Sequence, residues 1–158
     1  MESISNASMK TGFVLAIPER CTGCRLCEMV CSLAKQNAIN PSLASIQVMS
    51  AMAGEQEMHF PIKCDQCLDA PCIDACNRNA LYRDRKTGAI IVDKWACNQC
   101  GACVAACPFG MISMGEKSIV KCDLCKGEPL CVAVCKAGAL KFVQRDMVSN
   151  ELSLRVCA

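Results

Sequence analysis

Cys97-Asn98-Gln99-Cys100-Gly101-Ala102-Cys103-Val104-Ala105-Ala106-Cys107-Pro108 is the stretch whose reading decides the fold. Its spacing, Cys-x2-Cys-x2-Cys-x3-Cys-Pro, is the bacterial run that holds a cubane iron–sulfur cluster and hands its fourth cysteine to a neighbouring cluster. A donated ligand needs a recipient. Working outward, three more runs appear: Cys21, Cys24, Cys27, Cys31, then Cys64, Cys67, Cys72, Cys76, and finally Cys122, Cys125, Cys131, Cys135. Each opens with Cys-x2-Cys and closes with Cys-x3-Cys, and only the middle gap varies. Of the 17 cysteines, only Cys157 falls outside these runs.

A cubane cluster requires four soft, anionic ligands at tetrahedral positions, and thiolate supplies both softness and charge. Closely spaced cysteines wrap one face of such a cluster, because a tight loop turns its backbone N–H groups and side chains inward together. The fourth ligand must arrive from outside the loop. With every iron corner taken by cysteine, no coordination position remains for a substrate, which points to electron transfer and away from catalysis at the metal. The competing reading is a multi-zinc scaffold. Zinc sites draw two ligands from each of two separated pairs, and three cysteines within seven residues, as at Cys97 to Cys103, fit that poorly.

The chain has 158 residues, enough for one ordinary domain or two very small ones. Its 53% hydrophobic content counts the cysteines, and aromatic residues make up only 4%. Metal–thiolate bonds must therefore supply stability, so folding and cofactor insertion are expected to be coupled and the apoprotein largely unfolded. In a secreted chain this much cysteine would suggest disulfides. Met1 to Arg20 has no basic n-region, long apolar run or twin arginine, so a reducing, cytoplasmic setting is expected, where cysteine groups mean metal. No stretch reaches the apolar length needed to span a bilayer. The formal charge is +2, but loaded clusters carry the chain to about −6, which argues against nucleic acid as a partner.

Between the runs the pattern alternates short helices and short strands. Residues 1–10 read as a flexible tail. Phe13 to Ile17 reads as a strand ended by Pro18, and the segment after Cys27 as a helix that stops before Pro41. Cys27 and Cys31 then lie one helical turn apart, which suits ligation of two different clusters. Ser45 to Met49 and Met58 to Ile62 read as a hairpin or excursion across Ala51 to Glu55. Ala80 to Asp84 and Ala89 to Asp93 read as a hairpin with Gly88 at its left-handed position. Met111 to Met114 pairs with Ser118 to Lys121, and Ala139 to Gln144 with Glu151 to Val156. The unit of cysteine loop, helix and hairpin thus repeats four times.

These four runs, in order from about Ile17 to Val143, resemble the four-cluster, ferredoxin-like electron-transfer subunits that accompany molybdenum or tungsten oxidoreductases, carbon monoxide dehydrogenases and hydrogenases. The resemblance implies an α+β fold of two ferredoxin-like units over residues 11–158, one from residues 11–50 with 119–158 and the other from residues 51–118. It further implies four [4Fe–4S] clusters in nested pairing: Cys21, Cys24, Cys27 with Cys135; Cys122, Cys125, Cys131 with Cys31; Cys64, Cys67, Cys72 with Cys107; Cys97, Cys100, Cys103 with Cys76. The residues alone leave sequential pairing open. Small size and an unbroken set of ligands are similar to the compact members that serve tungsten aldehyde oxidoreductases, benzoyl-CoA reductases and carbon monoxide dehydrogenase. The implied function is a non-catalytic subunit of anaerobic metabolism. It would pass single electrons between a large tungsten or molybdenum catalytic subunit and a flavoprotein or ferredoxin carrier. A freestanding polyferredoxin is the alternative.

Only Cys107 is followed by Pro, whereas Ser32, Asn77 and Lys136 follow the other last cysteines; these positions read as tolerant of substitution. Cys157 reads as a free thiol and His59 as a satisfied structural residue. Trp95 and Tyr82 read as packing, and Met49, Met52 and Met58 as core filling. Lys117, Lys121, Lys126, Lys136 and Lys141 read as an offset to cluster charge, with a docking patch for an acidic partner as the sharper reading.

Overall fold

The computed structural model describes residues 12–144. The tail at 1–10, the strand at 151–156 and Cys157 lie outside the described residues. Short apolar segments between the cysteine loops become strands: β1 Gly12–Ala16, β2 Ile46–Ala53, β3 Gln56–Lys63, β4 Leu81–Arg83, β5 Ile90–Val92, β6 Ile112–Met114, β7 Ile119–Lys121 and β8 Leu140–Gln144. The helices are α1 Leu26–Gln36, α2 Pro71–Asp74, α3 Ala102–Ala106 and α4 Leu130–Ala133. It is a small mixed α/β structure of short helices and antiparallel ladders.

Among the described residues the ladders are two-stranded: β2 with β3, β4 with β5, β6 with β7, and β1 with β8. Three are local hairpins and the fourth is not. β8 takes β1 as its partner, Gly12 opposite Gln144 and Ala16 opposite Leu140, so the two ends of the described chain close on each other. In the β4–β5 hairpin the Asp84 carboxylate accepts from the Thr87 amide at 2.9 Å and its hydroxyl at 2.7 Å, and Gly88 turns the chain at φ 69°. That is an Asx-type turn completed by a left-handed glycine.

Helix α1 forms where eleven residues run without Gly or Pro. It buries Cys27, Glu28, Cys31 and Ser32, spaced i and i+4, and ends in a left-handed Asn37 whose N–H returns to the Leu33 carbonyl at 2.9 Å. Glu28 is only 2% exposed: it accepts the Val48 amide at 2.5 Å and pairs with Arg25 at 3.3 Å, tying α1 to β2. Past Val48 the β2–β3 ladder continues to Ala53 opposite Gln56, so the strands take in most of the expected connection across Ala51 to Glu55. The extra residues satisfy their backbone groups on one another and need no core, so the arm is exposed beyond Val48. Met49 and Met52 lie on it at 56% and 67% exposure and do not fill the core.

Two small cores result. One gathers Val14, Ala44, Ile46, Val48, Leu124 and Leu140 around Cys27 and Cys31, with Cys21, Cys122, Cys131 and Cys135 packed against it. The other gathers Ala70, Leu81, Ile90, Ile112 and Ile119 around Cys72 and Cys103, with Cys76, Cys97 and Cys107 against it. The first joins early and late parts of the chain and takes in Ala89 and Ile91 from the β4–β5 hairpin, whereas the second is built from the middle alone. In both, cysteine stands where an ordinary core has large aliphatic side chains.

Candidate metal centres

The four cysteine loops share one backbone design. The residue just ahead of the second cysteine is left-handed in each: Gly23 at φ 70°, Gln66 at 52°, Gln99 at 57° and Leu124 at 57°. This conformation costs an L side chain about 1–2 kcal/mol, so three of the loops hold strain that their surroundings must offset. The third cysteine of every run is the second residue of a helix, as in Leu26-Cys27, Pro71-Cys72, Ala102-Cys103 and Leu130-Cys131. A thiolate there meets unpaired helix N–H groups. After three of the four last cysteines the chain turns back at Asn79, Gly110 and Gly138, whose amides donate to the carbonyls of Cys76, Cys107 and Cys135 at 3.1, 3.2 and 3.1 Å. The exception is Cys31, which continues inside α1.

Cys21, Cys24, Cys27 and Cys135 line one cavity, walled by Val48, Pro61 and Leu140. A second is lined by Cys31, Cys122, Cys125 and Cys131 and is also reached by Cys64. Cys76, Cys97, Cys100 and Cys103 line a third. Of the remaining four, Cys72 lies in the field of Cys64 and Cys107, and Cys67 in that of Cys64. No group of three or more His, Cys, Asp or Glu among the described residues converges closely enough for a single metal ion.

Burial pushes the Cys27 thiol up to about 11, with the Glu28 carboxylate adding to it. Cys122 and Cys131 are pushed up to about 12, first by burial and then by neighbouring sulfurs, Cys64 for the former and Cys122 and Cys31 for the latter. Such thiols give up their protons only to a strongly positive occupant, and the iron of a cluster is one. Cys76 goes the other way. Burial is the largest single effect and pushes the thiol up, but the amides of Arg78, Ala80, Leu81 and Asn79 directed at its sulfur together outweigh it and hold the thiol below its usual range, with Ala80 at 3.3 Å. The amide of Ser45 bonds Cys31 Sγ at 3.3 Å in the same way. The donor set is soft, anionic and supplied with N–H groups, which fits a cubane cluster.

Other side chains hold the loops. His59 Nδ1 and Ser50 Oγ lie 2.9 Å apart across β2–β3, and the ring covers the first loop so closely that a Cβ on Gly23 would stand 2.7 Å from His59 Cε1. Arg83 donates to the carbonyls of Cys67 and Gly88. Lys35 pairs with Asp123, and Lys63 with Asp65. Gln66, Glu28 and Lys121 are inward-facing polar residues that spacing did not single out. A Gln in the slot that Gly23 occupies in the first run was the available signal for Gln66. Trp95 does not pack: its backbone amide donates to Asp93 Oδ1 at 2.9 Å and the residue is 99% exposed. Tyr82 is 48% exposed. No helix among the described residues is long and apolar enough to cross a membrane.

Residues 56–145 match the family of 4Fe-4S dicluster domains and residues 18–34 that of 4Fe-4S binding domains. The chain is 46% identical over 136 residues to the aliphatic sulfonate oxidoreductase, polyferredoxin-like subunit, of Pyrococcus furiosus, covering 83% of this chain and 77% of that one. It is 34% identical over 141 residues to a thiosulfate reductase electron transfer subunit of Salmonella typhi, covering 81% and 73%. Among solved structures, the active site complex BamBC of benzoyl coenzyme A reductase with benzoyl-CoA aligns at TM-score 0.48 and 25% identity, over 91% of this chain and 88% of that one. Two longer relatives are spanned over only 31% and 21% of their length.

Proposed function

The chain belongs to the 4Fe-4S dicluster domain family, and from that premise we propose that its sixteen run cysteines hold four [4Fe–4S] clusters in nested pairs. The chain is an iron–sulfur electron-transfer subunit of an oxidoreductase and not itself the catalyst; its relatives bear the names of such subunits. The nested reading is supported by one observation: two cavities bring together cysteines of the first and fourth runs, one of them also touched by Cys64, and a third brings together cysteines of the second and third. When bound, the clusters accept and release electrons singly. The protein's part is to hold them near one another in a largely apolar setting and to direct amides and charges at their sulfurs.

The catalytic partner is a large tungsten or molybdenum subunit, with aldehydes and, after the Pyrococcus relative, sulfonates as the substrate classes to try first. The second partner is a flavoprotein or ferredoxin, and the setting is a reducing cytoplasm, as the cysteine content favours. A freestanding polyferredoxin differs in one respect: it purifies without a large metalloenzyme. Anaerobic purification of the holoprotein tests the four-cluster reading. About sixteen irons, as much sulfide, and four electrons taken up on reduction are expected. Clearly fewer irons, or zinc in their place, would defeat it.

A further inference from the structure

We propose that Lys121 tunes the electron path where its two halves meet: its buried ammonium stabilises the added electron on the cluster held by Cys64. The inference rests on the four-cluster reading above and goes beyond it to a residue that is not a ligand.

Lys121 closes β7 and is 6% exposed. Strand alternation puts it on the same face as Ile119, which is buried in the second core, so the side chain is directed inward. Its Nζ donates to Cys64 Sγ, the Ile90 carbonyl and the Cys122 carbonyl, each at 3.2 Å. Gln66, fully buried, fixes that seat by bonding the same two residues: its Nε2 donates to the Cys122 carbonyl at 2.9 Å and its Oε1 accepts from the Ile90 amide at 2.8 Å. The ammonium therefore lies between a ligand of the middle half and the first ligand of the last run. That is also where Cys64 reaches the cavity of Cys31, Cys122, Cys125 and Cys131.

A buried ammonium bonded to two carbonyls and a sulfur needs an anion, and a thiolate on iron supplies one. The attraction strengthens when the cluster takes up an electron, because the added negative charge is shared with the sulfurs. The cluster's reduction is thereby favoured. The step is the arrival of one electron, with no bond made or broken, so no second reactant is needed. Lys121 acts through Cys64 and is a positioning residue for charge.

The test is an anaerobic redox titration followed by EPR on the holoprotein and on Lys121→Met, Lys121→Arg and Lys117→Met, with iron counted in each. With iron complete, Lys121→Met should lower one of four midpoints by at least tenfold in the reduction equilibrium, about 59 mV for one electron. Lys121→Arg should restore it to within that margin. Lys117, exposed beside β7, should shift none when replaced. Complete iron with four unchanged midpoints would overturn the proposal, and so would an equal shift from Lys117→Met. Incomplete iron in the parent protein would instead remove the four-cluster reading beneath it. Should Lys121→Met fail to assemble, pulsed EPR on reduced parent protein labelled with [ε-15N]lysine decides: a nitrogen coupling that Lys121→Arg abolishes supports the assignment, and its absence refutes it.

Discussion

Replacing Cys24 and Cys135 together by Ala separates nested from sequential pairing by counting iron. Both residues line one cavity with Cys21 and Cys27, although 111 positions divide them in the chain. If that cavity holds a cluster, the double variant leaves it two of four ligands and it is lost whole, so iron falls from about sixteen to about twelve. The other three clusters keep all their ligands and stay diamagnetic when oxidised. If Cys135 instead served the neighbouring third run, two clusters would each lose one ligand and one iron. About fourteen irons would then remain, with a three-iron EPR signal in the oxidised protein. The mirror experiment exchanges the outcomes: Cys24→Ala with Cys76→Ala should strike two clusters and give the fourteen-iron result if the pairing is nested, and remove one cluster whole if it is sequential. The assay is iron and sulfide analysis with EPR under strict anaerobiosis. Fourteen irons and three-iron signals from the first variant would refute the nested reasoning.

Gly23→Ala should destabilise the first loop by about 1–2 kcal/mol from its left-handed backbone alone, with more from the clash against His59; adding His59→Ala should recover the clash and not the backbone part, read from melting temperatures. Gln66→Ala leaves the Ile90 amide without its partner in a site closed to water, and should cost about 1–3 kcal/mol in denaturant unfolding of the holoprotein. Stripping iron with an anaerobic chelator should unfold the chain, seen as loss of circular dichroism in step with loss of cluster absorbance. Retention of most secondary structure in the apoprotein would contradict the coupling of folding to metal.

The local parts of this fold were legible because each is set by neighbours in the sequence. Gly88 beside Thr87 marks the β4–β5 turn, and Cys-x2-Cys marks each loop. The partner of β8 was not legible. Ala139 to Gln144 has the pattern of a strand whatever it pairs with, and its pairing with Gly12–Ala16 depends on the closing of the whole chain. Nor did pattern reveal the inward polar residues. Lys121 reads as one more lysine among Lys117 and Lys126, and only the β6–β7 register turns it toward Cys64. At the centres themselves the cysteines were readable from spacing, while the left-handed Gln66, Gln99 and Leu124 were hidden by side chains that rarely adopt that backbone.

The β1–β8 ladder also sets a schedule. On the ribosome, Gly12–Ala16 emerges near the start and waits for Leu140–Gln144, so the outer half of the molecule closes only as translation finishes. Its inner half has every strand partner already in hand by Lys121. Premature stop codons just ahead of Leu140 should therefore yield a nascent chain with a competent middle and an open shell, its earliest thiols still exposed to oxygen.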